Sequence, residues 1–247
     1  MGIEQKALVI STLKLSGVDQ MALDLHFLDQ TISKPEIMLS LRFYNWDGEW
    51  VSIGFHQKDI PTDWQKLIDD GDIKIVRRPS GGGAVLHSGG ITYALTFKRS
   101  IYKSFSYEMV NNWLIKSFSE LGLFLRGGHL KKSTIKANCF GTSYISDLID
   151  HNGFKRIGSA QFRKNGGFLQ HGEIQTNPSK DLWFKLFGEE APQKINLNLS
   201  NDEIIKHLKN KFLEKIETLK IENVNIKNKY IREFEKQKLI DISFLLH

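Results

Sequence analysis

Residues 77–87 read Arg77-Arg78-Pro79-Ser80-Gly81-Gly82-Gly83-Ala84-Val85-Leu86-His87, the densest local signal in the chain. Three consecutive glycines cost chain entropy and pack nothing, so a protein that keeps them needs bare backbone there. Bare backbone lets a ligand approach closely and offers amide hydrogens to a carbonyl or phosphate. Arg77 and Arg78 would supply anion-binding forks beside it. Gly-Gly-Gly alone reads more simply as a flexible surface turn. The flanking arginines and the strand-like Ala84-Val85-Leu86 turn the balance toward a ligand loop on a strand end. No Gly-Lys-Ser/Thr closes it and the spacing is not GxGxxG, so it is neither a P-loop nor a dinucleotide fingerprint.

The remaining pattern sets the fold class. A first helix is predicted over Val18 to Gln30, with Met21, Leu25 and Leu28 on one face. Met38 to Trp46 and Trp50 to Phe55 read as strands joined in a hairpin at Asp47-Gly48. Ile73 to Arg77 and Ile91 to Phe97 are further strands. Tyr107 to Leu121 is helical with Gly122 as its stop, and Arg126 to Ala137 is a basic, polar connection. Strands return at Tyr144 to Ile149, Lys155 to Gln161 and Phe168 to Gln175. From Ser200 the pattern is helical: Ser200 and Glu203 fit a capping box, and Ile204, Leu208, Phe212, Ile216 and Leu219 form a buried stripe. Irregular alternation with hairpin-like neighbours predicts an α+β fold, one domain over residues 1–247 with a mixed, largely antiparallel sheet flanked by helices.

Composition narrows the function classes. The 247 residues are 40% hydrophobic and 25% charged, ordinary for a soluble globular protein, and no stretch approaches a membrane span. Residues 1–19 resemble neither a signal nor a transit peptide, and Lys6 occupies the position where a myristoylation motif needs Ser or Thr, so a cytoplasmic location is expected. A single cysteine, Cys139, excludes a disulfide framework and a Cys-rich metal site; no metal is expected. The formal charge of +6 favours acidic partners. The basic runs Lys131-Lys132 and Lys227 to Arg232 carry no nucleic-acid motif and read as solvated helix faces, so neither nucleic acid nor membrane is expected as a partner.

The glycine turn, residues 77–87, resembles the signature of lipoate–protein ligases and the related octanoyltransferases, a family that also includes biotin ligases. Met21-Ala22-Leu23-Asp24 resembles the family's first helix. Arg42-Phe43-Tyr44-Asn45-Trp46, then Ser52-Ile53-Gly54 and Gln57, resemble its first hairpin, and Thr92-Tyr93 its following strand. Gly153-Phe154-Lys155-Arg156-Ile157-Gly158-Ser159-Ala160-Gln161 and Leu169-Gln170-His171-Gly172 resemble its second signature. The likeness runs from about residue 21 to 187, leaving a helical C-terminal part at 200–247.

The resemblance implies roles for particular residues. Lys155 would hold developing negative charge on an acyl carbonyl or adenylate phosphate. Arg78, Gly81, Gly82, Gly83, Ala84, Val85, Leu86 and His87 would form one wall of the substrate site, and Gly158, Ser159, Ala160 and His171 another. A lone lysine is usually a solvated surface charge and a lone cysteine a buried, inert one. Cys139-Phe140, 16 residues before Lys155, nevertheless resembles the octanoyltransferases that work through a cysteine thioester, in which the matching lysine lowers the thiol's pKa. On this reading Cys139 takes octanoyl, or lipoyl, from an acyl carrier protein. The lysine of an acceptor domain, in glycine cleavage H protein or 2-oxoacid dehydrogenase E2, then takes it from Cys139, without cofactor. The alternatives are an ATP- and Mg2+-dependent lipoate ligase, toward which Ser146-Asp147-Leu148 leans, and a non-catalytic acyl binder, at which Ser88 hints by standing where the family often has Asp. His87 and His171 are expected to make structural hydrogen bonds.

Overall fold

A computed structural model describes residues 2–101, 107–128 and 147–226. Its frame is a nine-stranded mixed sheet. At one edge β12 (Lys220–Val224), β1 (Lys6–Ile10) and β3 (Ile37–Trp46) run parallel, and the short β2 (Leu13–Leu15) also pairs in parallel with β3. From β3 onward every pairing is antiparallel: β7 (Ile91–Lys98), β11 (Gly167–Ile174), β10 (Lys155–Lys164), β9 (Leu148–Ile149) and β8 (Arg126–Gly127). A second sheet holds β4 (Trp50–Ile53) between β5 (Lys74–Arg77) and β6 (Val85–His87). The expected α+β class and mixed sheet are present.

One face of the large sheet buries Leu39, Leu41, Phe43, Leu95 and Phe97 against α3 (Tyr107–Glu120) and α5 (Asn201–Leu213). Trp113 of α3 is fully buried there, edge-on to Phe212 of α5, and its indole donates to Leu208 O. The other face carries α1 (Gly17–Ser33), capped by Ser16, whose Oγ accepts from Asp19 N. The small sheet closes on α2 (Asp63–Asp69) and α4 (Lys180–Phe187) around Trp64, Trp183 and Phe187. Ser200 and Glu203 make the predicted capping box, and Ile204, Leu208 and Phe212 are buried.

Two expectations fail. β3 and β4 do not form a hairpin. Gly48 does turn, with φ +88°, but the end of β3 is taken by β2: Trp46 pairs with Leu15, and Asp47 N donates to Leu15 O. β4 is thereby released to the small sheet. Trp46 and Trp50 still pack together at 6.2 Å, over Gly17, where a Cβ would lie 2.4 Å from the Trp50 ring. The C-terminal part is not wholly helical either. α5 ends before Glu214, and Lys220–Val224 forms a strand beside β1. The apolar stripe continues through Ile216 because that turn packs into the same core, not because the helix does.

Candidate acyl-transfer site

The two sheets face each other across a cavity of about 250 Å³, slightly below the ~300–1,000 Å³ usual for drug-sized ligands and suited to a short chain. Met21, Tyr44, Trp46 and Val85 supply an apolar surface. Polar groups enter from the glycine loop on one side and from β10 on the other.

The loop is held by its own arginines. Arg78, buried, donates through Nη1 to Ser52 O at 2.8 Å and through Nη2 to Gly81 O and Gly83 O, both at 2.7 Å. Arg77 Nη1 donates to the carbonyls of Gly54, Phe55 and Gln57. The expectation that these forks face an anion is therefore corrected. Both clamp backbone carbonyls, although Arg78 still lines the cavity. Gly82 takes φ +99°, and a Cβ on Gly54 would lie 1.9 Å from Gly82 O. This close approach seats the loop and requires glycine at both places.

Strand alternation then divides residues 83–87. Val85 and His87 face the cavity. Ala84 and Leu86 are fully buried in the second core beside Val51 and Trp64, and Gly83 is also off the wall. Ala84 and Leu86 thus pack behind the wall that Gly81, Gly82, Val85 and His87 form.

Two buried histidines tie the walls together. His171 Nδ1 lies 2.9 Å from Asp24 Oδ2 and its Nε2 2.6 Å from Ser80 Oγ. A carboxylate only accepts, so Nδ1 carries the hydrogen toward Asp24, and Nε2 is left to the Ser80 hydroxyl. Asp24 is paired in turn with Arg42 at 2.7 Å and accepts from Tyr44 OH at 3.1 Å. His87 repeats the arrangement, with Nδ1 2.8 Å from Glu173 Oε2 and Nε2 2.8 Å from Ser52 Oγ. Its ring stacks on Trp46 at 3.8 Å. Burial pushes the His87 pKa below its ordinary value, outweighing the Glu173 carboxylate that pulls it up. All four ring nitrogens are engaged within the protein. A second, polar recess shares Trp46, His87 and Glu173 with the first.

Lys155 starts β10, after a turn in which Asp150 Oδ1 accepts from Asn152 N and Phe154 N while Gly153 adopts φ +83°. Asp150 also pairs with Arg156 at 2.6 Å. The Lys155 side chain is buried in the cavity wall with Nζ 2.8 Å from Asp147 Oδ2. A carboxylate at that distance compensates the cost of burying an ammonium. Gly158, Ser159 and Ala160 follow on the same wall, and His171 stands beside them. Cys139 lies outside the described residues. The segment that bears it leaves at Gly128 and returns at Asp147, and these ends are joined by Gly128 N donating to Asp147 O at 2.8 Å. Among the described residues no group of three His, Cys, Asp or Glu is placed to hold a metal ion, and no helix is long and apolar enough to cross a membrane.

Asp24, Arg42 and Asp147 received no role from the sequence. Asp24 did leave a signal, since it stands three residues from Met21 and four from Leu28 on the buried face of α1, where a lone charge needs a partner.

The fold and the cavity define a class: an α+β protein with a small, mostly apolar pocket, a backbone-lined loop on one side and a buried lysine on the other. The chain belongs to the family of the lipoyl protein ligase A/B catalytic domain, whose model matches residues 16–224. It is 32% identical over 196 residues to octanoyltransferase LipM of Oceanobacillus iheyensis, covering 76% of this chain and 67% of that protein. It is 32% identical over 197 residues to octanoyltransferase LipM of Clostridioides difficile, covering 75% and 71%. Among solved structures it is similar to Ta0514 of T. acidophilum, a lipoate protein ligase homologue with bound lipoic acid (TM-score 0.75, 20% identity, 97% of this chain and 95% of that one), a likeness of fold.

Proposed function

We propose that this protein acts in protein lipoylation by moving an octanoyl group from an acyl carrier protein to a lysine of a lipoyl-acceptor domain, by way of Cys139. The supporting observation is the buried Lys155–Asp147 pair in the wall of an apolar cavity, at the point where the Cys139-bearing segment rejoins the sheet. Cys139 stands eight positions before Asp147 in the sequence, and this reading requires that short connection to bring the thiol to the pocket.

In the first half-reaction the Cys139 thiolate attacks the thioester carbonyl of the octanoyl carrier and expels the carrier's thiolate. An ammonium beside a thiol favours the thiolate, and that is the role given to Lys155. In the second, the neutral amine of the acceptor lysine attacks the acyl-cysteine. The amide forms, the amine's hydrogen leaves as a proton, and the Cys139 sulfur departs. Met21, Tyr44, Trp46 and Val85 hold the alkyl chain, and the glycine loop brings bare backbone to the group being transferred. The acyl chain and its thioester supply all the chemistry, so the route needs no added cofactor.

Mass spectrometry after mixing with octanoyl carrier protein tests this. Octanoyl is expected on Cys139, and Cys139→Ser is expected to abolish transfer. Normal transfer by that variant would remove the thioester route. AMP release that depends on free lipoate and ATP would replace it with a ligase.

A further inference from the structure

Ser159, Gly172 and Tyr93 form one cross-strand row, with Ser159 paired to Gly172 on β11 and Gly172 to Tyr93 on β7. The central position has no side chain, and across that gap Tyr93 OH reaches Ser159 Oγ at 2.7 Å. A Cβ at 172 would lie 2.7 Å from Tyr93 Cε1 and 2.8 Å from Ser159 Oγ, so glycine there keeps the passage open. Two residues along, Gln161 is registered opposite Gln170. Gln161 Nε2 donates to Gln170 Oε1 at 2.9 Å, and Gln170 Nε2 donates to Tyr93 OH at 3.1 Å.

This chain has a direction. Tyr93 is completely buried, and its oxygen accepts from Gln170. With Gln170 donating to that oxygen, Ser159 Oγ is the acceptor in reach of the Tyr93 hydrogen. Ser159 Oγ then accepts, which leaves its own hydrogen for an acceptor in the cavity that Ser159 lines with Lys155 and Gly158. A serine hydroxyl alone rotates freely; this one is set as a donor by three residues behind it.

We infer that the Ser159 hydroxyl is a catalytic hydrogen-bond donor to the acyl carbonyl oxygen, preset by the Gln161–Gln170–Tyr93 chain. The inference rests on the acyl-transfer reading and adds a group to it. When sulfur attacks, the carbonyl electron pair moves onto oxygen, which accepts the Ser159 hydrogen bond; Ser159 keeps its proton throughout. The pair returns as the leaving sulfur, or in the second half-reaction Cys139, departs. A donor oriented before the reaction stabilises that oxygen without reorganising during it.

The test is the rate of Cys139 octanoylation from carrier protein, in single turnover. Ser159→Ala should slow it by about 10²–10³-fold, the usual effect of removing one such donor, with KM for the carrier little changed. Alkylation of Cys139 by iodoacetamide should keep its normal rate, which shows that the thiolate and fold are intact. Ser159→Thr, which retains the hydroxyl, should recover most of the rate. Tyr93→Phe, which frees the hydroxyl to rotate, should fall in between. Wild-type kcat in Ser159→Ala, a change confined to KM, or a threonine variant as slow as alanine would overturn the inference. Failure of wild-type protein to carry octanoyl on Cys139 would instead sink the thioester reading, a separate result.

Discussion

Removing Asp24 and Arg42 singly should cost more in sum than removing both together. The pair is 2.7 Å long, and both side chains are essentially without solvent contact. Arg42→Met leaves the Asp24 carboxylate buried with only Tyr44 and His171. Asp24→Leu leaves a guanidinium against Gln20. Each single change should destabilise by about 3–5 kcal/mol, the cost of a stranded buried charge. For a chain of this length that corresponds to a fall in Tm of roughly 6–20 °C, at about 2–4 °C per kcal/mol. The double variant strands no charge. Replacing a buried ion pair by apolar groups is often neutral or stabilising by about 1–4 kcal/mol, against which stand the unpaired Tyr44 and His171, at about 1–3 kcal/mol each. Its loss should therefore fall short of the summed losses of the two single variants. Urea unfolding followed by tryptophan fluorescence, with m unchanged, measures all three. Single effects that add in the double variant to within about 0.5 kcal/mol would refute the coupling, since that is the behaviour of independent sites. A second readout separates the two members. Asp24→Leu also frees His171 from its orientation toward Ser80, so it should lose more octanoyl transfer than Arg42→Met.

Gly54→Ala should push Gly82 from its seat and lower transfer on the order of 10²-fold, the effect of an ångström-scale misplacement; unchanged kinetics would show that the loop does not need that seat. Lys155→Met should break the buried pair with Asp147 at a cost of about 3–5 kcal/mol and abolish acyl-enzyme formation, while Lys155→Arg should fail to rescue it because a planar fork cannot replace a compact ammonium; calorimetry and mass spectrometry report the two effects. The buried His87 ring resists protonation, so below about pH 6.5 the unfolded chain binds a proton that the folded one does not. Stability should then fall as pH drops through that range, and His87→Gln should remove this part of the slope in urea midpoints measured from pH 7 to pH 5.

Periodicity made the large elements readable. The apolar spacing of α1 and α5, the capping box at Ser200 and the strand runs before and after the glycine turn all reflect local chemistry that tertiary packing reinforces. The pairing of strands is less local. Asp47-Gly48 has the residues of a hairpin, but nothing near it announces that Leu15 will take the edge of β3 and send Trp50–Ile53 to another sheet. β12 was hidden for a related reason: a short run with Ile221 and Val224 half-buried reads as a helix tail until its neighbour β1 is known. At the site, the glycines and Lys155 were visible because their residue types are unusual in place. The direction of the arginines was not. A fork that would fit a phosphate fits a pair of carbonyls equally well, and only the position of Gly81 and Gly83 decides. Asp147 and Tyr93 acquire their meaning through partners far away in the chain.

The Trp46–His87 stack, common to both recesses, gives the protein an optical reporter. An indole 3.8 Å from an imidazole and walled by two cavities has an emission sensitive to the ring's proton and to water in either space. With Trp50 replaced by phenylalanine, the other three tryptophans, Trp64, Trp113 and Trp183, lie deep in packed cores. A change in the remaining solvent-sensitive signal would then register filling of the acyl cavity in real time, without a label on the lipid.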